Sequence, residues 1–276
     1  MTKRLTDRFP SAFAKLQWAK RHIEQLDSQS NAYLRERLKL TVQDSMRQRV
    51  MTVTYQGELP TNFGLMIGDV ATNLRATLDH IIWYLVSPHL TADDRQEDVS
   101  FPFPRTKDRL EKAIKNALIN RAGPRAADII RDIQPYPNGD DDLWNLNKLA
   151  NSDKHRIIAI VSDYFQLHSV RRKEGDRREP TEFNDLKMGH GPGLLRDLHI
   201  NGTGINVGPN GNVDHAQLDM TFHIKFSEGH LFSGLTVVPT LTTLANKVEI
   251  ILAKFDEAYP SLLAPQYFEK DAWRQR

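Results

Sequence analysis

Between about residues 62 and 86, apolar side chains recur at Ile67, Val70, Leu74, Leu78, Ile81 and Leu85. Spacings of three and four predict one long helix with a single buried stripe, beginning just after Pro60. A helix of that length spans much of a domain, so the rest of the chain must be arranged around it. With Leu74 set at zero and about 100° per residue, Arg75 falls at about +100°, Asp79 at about +140° and His80 at about −120°. None of the three lies on the stripe. Asp69, Asn73 and Tyr84 share the flank of His80. Ala76 and Trp83, seven apart on the back of the helix, predict a second packing contact there.

The other segments are shorter. Ala12, Leu16, Ala19, Ile23 and Leu26 mark an amphipathic helix near the start, and residues 37 to 56 read as two strands of a hairpin. FPFP at 101 to 104 is extended, because proline disfavours helix in the residue before it. Helices are expected at about 106–119 and 124–132, with Pro124 suited to a first turn. Another is expected over 141–152, opened by three aspartates where the helix dipole favours negative charge. Residues 157 to 161 are assigned as strand, although so short a β-branched run is also compatible with helix. The alternation of Leu218, Met220, Phe222, Ile224 and Phe226 marks a half-buried strand, and a last helix runs from near Pro239 to before Pro260. Residues 171 to 196, rich in charge and breakers, read as a long loop or mobile insertion.

Strands near both ends with helices between them predict an α+β fold. In it, a helical central bundle packs with an antiparallel sheet formed from N-terminal and C-terminal strands. One domain over 1–276 is expected, with 60–155 as a helical subregion. The composition, 39% hydrophobic and 26% charged, suits a core of that size. Without cysteine there is no disulfide framework and no thiolate metal site. No apolar run is long enough to predict a membrane span, and the start lacks the pattern of a signal peptide, so a cytoplasmic protein without membrane contact is expected. A net charge of +2 is too small to imply a polyanionic partner by itself.

Two constellations carry candidate chemistry. The first is Arg75, Asp79 and His80. Arg75 and Asp79, four apart, suit an ordinary ion pair, with His80 capping a backbone carbonyl. The same residues also suit phosphodiester chemistry, where an imidazole titrates near neutrality and a guanidinium stays charged beside the phosphate. The second is NLNKLANSDKHR, in which Asn147 and Asn151 lead to Asp153, Lys154, His155 and Arg156. It reads either as a helix C-terminus with favourable cations or, through Asn73, Asn151, Asp153, Lys154 and His155, as part of a site shared with Arg75 and His80. A metal held by Asp79, His80, Asp153 and His155 has suitable donor types but no supporting spacing, so no metal or other cofactor is expected.

The R-x4-H of Arg75 and His80 resembles the motif of the HEPN family, helical-bundle proteins many of which are metal-independent ribonucleases that pair two motifs across a dimer. That resemblance implies an endoribonuclease acting on RNA as a homodimer, with Arg75 and His80 at the phosphate and the 2′-hydroxyl or leaving oxygen, and Asp79 in an orienting role. The longer pattern R-x-x-L-D-H, then FPF, then N-x-D-K-H-R is similar to that of a group of uncharacterised bacterial proteins. Residues 105 to 125 hold seven basic residues against two acids, a solvated face or, for an RNA ligand, a backbone-contacting surface of Arg105, Lys107, Arg109, Lys112 and Lys115. Phe101 and Phe103 suit either base stacking or the core. The alternative to catalysis is a binding or regulatory protein in which Arg75, Asp79 and His80 form a structural polar network.

Overall fold

In the computed structural model the described residues are 8–44, 49–55, 59–153, 158, 160–170, 181–188, 198–199 and 218–260. The helices are α1 (Pro10–Arg37), α2 (Thr61–Val86), α3 (Leu110–Asn116), α4 (Pro124–Ile133), α5 (Asp141–Asp153) and α6 (Val237–Ala258). The strands are β1 (Leu38–Asp44), β2 (Arg49–Tyr55), β3 (Ile160–Val170), β4 (Thr181–Met188), β5 (Leu198–His199) and β6 (Leu218–Phe226). The chain divides into two compact units, one of residues 1–23, 65–157 and 240–276, the other of 24–64 and 158–239. Among the described residues, no helix is long and apolar enough to cross a membrane.

The expected α+β architecture, with a helical centre packed with one sheet drawn from both ends of the chain, is overturned. The described residues are mostly helical, and where strand side chains are described they are confined to residues 223–226 of β6. Backbone pairing places the strands in two separate groups, β1-β2-β5 and β4-β3-β6. The N-terminal hairpin pairs within itself from Leu38 opposite Tyr55 to Asp44 opposite Arg49, and β6 pairs with β3 rather than with the hairpin. The hairpin takes β5 alongside β2, with Val50 opposite His199, while β3 lies between β4 and β6. Both ends do meet, but through helices. Of the segment 171–196, residues 181–188 are β4 and the rest lies outside the described residues; Ile160 and Val161 open β3.

In the helical unit each apolar stripe is buried. Ala12, Leu16, Ala19 and Ile23 of α1 are covered, as are all six stripe residues of α2, Leu143, Leu146 and Leu149 of α5, and Leu241, Leu244, Val248, Leu252 and Phe255 of α6. Side-chain partners set the directions. Phe9 meets Tyr84 edge-on with centroids 5.9 Å apart, Ser11 meets His80, and Lys15 meets Asn73, so α1 and α2 run antiparallel. Arg8 pairs with Asp256 and Lys20 with Glu249 at 2.8 Å, so α1 and α6 are antiparallel as well.

The short elements have local causes. Pro124 begins α4 after Gly123, whose φ of 89° favours glycine. The turn after α4 doubles back on Gln134, whose carbonyl accepts from the Tyr136 and Asp140 N–H groups at 2.7 Å. A side chain at Gly139 would collide with that carbonyl, so only glycine fits. Asp140 then caps α5, accepting from Leu143 N–H at 3.0 Å, and Lys247 of α6 donates to Asp140 and Asp142 at 2.8 and 2.7 Å. The aspartates thus both start α5 and tie it to α6.

The Arg8–Asp256 pair is the buried charge pair of this unit, 6% and 7% exposed, with a further Arg8 contact to the Pro260 carbonyl at 3.4 Å. Asp256→Ala removes the carboxylate from a buried guanidinium, and urea unfolding should show a loss of about 3–5 kcal/mol. The double replacement Arg8→Met with Asp256→Leu should recover most of it. An Asp256→Ala protein as stable as wild type would mean that the pair is not desolvated.

Candidate functional site

The helix α2 carries Arg75 and Asp79 one turn apart, and the two engage the segment 101–104 that follows. The Asp79 carboxylate accepts from the Phe101 N–H at 2.8 Å and from the Arg75 guanidinium at 3.3 Å. Proline at 102 and 104 keeps the segment out of helix, and residues 101–104 are neither helix nor strand. Phe101 is buried and Phe103 half-buried, their centroids 5.1 Å apart. The Arg75 guanidinium carbon lies 5.0 Å from the Phe103 centroid, within the range of a cation–π contact. Its Nε is buried and has no hydrogen-bond partner among the described residues.

Beside this arrangement is an open cleft of about 490 Å³. Its lining includes Arg75, Ser100, Phe101, Phe103, Asn116 of α3, and Asn147 and Asn151 of α5. Glu97 and Asp98 contribute carboxylates, and Glu97 also pairs with Arg95 at 2.8 Å. Asn151 Nδ2 donates to Asn147 Oδ1 at 3.3 Å. The cleft therefore combines one arginine, an aromatic wall and several amides with a partly acidic margin.

His80 lies on the other shoulder of α2 and does not line the cleft. Its Nδ1 is 2.7 Å from Ser11 Oγ, while Lys15 Nζ donates to Asn73 Oδ1 at 3.2 Å. Asn73 in turn donates to the Asp69 carbonyl at 2.7 Å. Burial and the positive charge of Lys15 lower the imidazole pKa from its ordinary value, against the opposing pull of Asp79. Five residues of helix turn His80 about 140° from Arg75, which accounts for the separation.

The structure thus brings together Arg75, Asp79 and Asn151, and sets Asn73 and His80 against α1. The side chain of Asp153, and Lys154 and His155 altogether, lie outside the described residues. Arg105, Lys107, Arg109, Lys112 and Lys115 are exposed and do not line the cleft. Nearby, Arg121 is bound to Asp94 at 2.9 Å, and Glu111 to Arg131 at 2.7 Å. Among the described residues no group of three or more His, Asp or Glu is placed to hold a metal ion. Trp83 on the back of α2 is 39% exposed. Sequence reasoning left Phe103 between core and stacking, and missed Ser100 and Asn116; the proline on either side of Phe103 was the one available signal.

Comparison with known proteins finds no matching family model, no matching curated protein and no matching solved structure.

Two outcomes follow from this geometry. Asp79→Ala removes the acceptor of the Phe101 N–H and the partner of Arg75 together. A loss of about 1–3 kcal/mol is expected, with faster hydrogen exchange at the Phe101 amide; unchanged exchange would show that Asp79 does not hold the segment. For His80, the folded pKa lies below the unfolded one, so the unfolded chain binds the proton more readily. The contribution is complete above about pH 6.5 and declines as pH falls from there toward the folded pKa. A nuclear magnetic resonance titration should place the His80 midpoint below the ordinary histidine value, and His80→Gln should flatten the stability profile over that window.

Proposed function

We propose that the protein is a non-catalytic binding protein whose ligand occupies the cleft beside Arg75. The observation that supports this reading is the Arg75 side chain itself. Asp79 and Phe103 hold the guanidinium in place, yet its buried Nε–H has no acceptor among the described residues. A buried donor without a partner is costly, and a ligand in the adjoining cleft would meet the accessible fifth of the same side chain. Asp79 then has a positioning role, holding both the arginine and the aromatic segment.

A metal-independent endoribonuclease is the competing reading. It draws on the R-x4-H of Arg75 and His80 and on the lowered pKa of His80, which keeps the imidazole neutral as a general base requires. Because Arg75 and His80 occupy different shoulders of α2, that chemistry would need a homodimer to bring an arginine of one copy to a histidine of another. RNA as ligand, the homodimer and a cytoplasmic setting belong to that proposal.

The full-length protein is tested with benzamide, which offers a flat ring and a carbonyl acceptor. The Arg75 Nε–H resonance should shift saturably, and Phe103→Leu should weaken the effect. Mixed RNA should stay intact with or without chelator. An unmoved Arg75 resonance overturns the binding reading. Chelator-resistant RNA cleavage that disappears in His80→Ala overturns it in favour of the nuclease.

A further inference from the structure

The chemistry of the cleft narrows its ligand. Phe103 and the Arg75 guanidinium that lies over its ring both line the cleft, and each is a planar, polarisable group of the kind on which heterocycles stack. The lining also carries amides. With Asn151 Nδ2 donating to Asn147 Oδ1, the Asn147 amide nitrogen remains as a donor and the Asn151 carbonyl as an acceptor. Neither has another partner among the described residues. A donor and an acceptor side by side complement an amide-type edge, the pattern by which asparagine reads a base.

The charge of the described lining disfavours anionic ligands. Arg75 is the basic residue of the lining and is already paired with Asp79, while Glu97 and Asp98 add negative charge. The basic residues of 105–125 lie outside the lining. Among the described residues a phosphate or carboxylate entering the cleft would meet no surplus of positive charge. The volume of about 490 Å³ falls within the usual range for small-molecule sites, about 300–1,000 Å³.

We infer that the cleft takes an uncharged planar heterocycle with an amide-type edge, a nucleobase carried by a nucleoside, stacked on the Phe103–Arg75 pair and read by Asn147 and Asn151. This rests on the binding reading above and adds the chemical class of the ligand. The ring stacks on the accessible part of the Arg75–Phe103 pair, and the sugar lies toward the open side. A phosphate on the sugar contributes nothing to affinity.

Calorimetric titration of the full-length protein tests this with adenosine, guanosine, cytidine and uridine, their 5′-monophosphates, and a short single-stranded oligonucleotide. At least one nucleoside should bind, its monophosphate no more tightly, and Asn147→Ala and Asn151→Ala should each weaken it by roughly tenfold. Tighter binding of the monophosphate or the oligonucleotide overturns the inference, because recognition would then run through phosphate. Unchanged nucleoside affinity in both asparagine variants overturns it too. If benzamide shifts Arg75 but no nucleoside binds, the ligand class fails while the binding reading stands; if neither acts, both fail.

Discussion

The Asp79 carboxylate holds the candidate site together. It accepts one bond from the main chain at Phe101 and one from the guanidinium of Arg75. Without it the Phe101 N–H would lose its acceptor and the Arg75 guanidinium its carboxylate partner, while burial of Phe101 alone would hold the segment. A charged acceptor suits this role, since hydrogen bonds to an ionised carboxylate are about twice as strong as neutral ones. The carboxylate stays partly exposed, with 30% of its side chain accessible, so it avoids the full cost of burying a charge.

That carboxylate can act only because α2 is held on its other sides. The stripe from Ile67 to Leu85 is buried within the helical unit, and α1 covers the shoulder that bears Asn73, His80 and Tyr84. Residues from both ends of the chain complete this unit: Arg8 with Asp256, and Lys20 with Glu249. Lys247 fixes the start of α5 through Asp140 and Asp142, and α5 carries Asn147 and Asn151 to the cleft. The exposed pairs contribute little energy individually. They determine which helix ends are neighbours, and through that the position of the amides relative to Arg75.

Much of the local structure was legible. The period of α2, the early amphipathic helix, the start of α4 at Pro124 and the acid-led α5 all follow from side-chain spacing and capping chemistry, which act within a few residues. The arrangement of strands was not. Alternation in residues 218–226 shows that one face is buried, yet carries no information on which strand lies alongside, and β6 pairs with β3 rather than with the N-terminal hairpin. The site was legible in part. Helical rotation already separated Arg75 from His80, whereas the motif R-x4-H invites reading them as one unit.

The sequence by itself determined which residues leave the stripe of α2 and on which shoulder each stands, because a helix has a fixed rotation per residue and apolar side chains must be covered. It also determined that FPFP is not helical. Only the tertiary structure decided what each shoulder meets: α1 at His80, and the aromatic segment with the cleft at Arg75. Those encounters join residues tens of positions apart, and they depend on how whole helices pack, a property that no window of neighbouring residues contains.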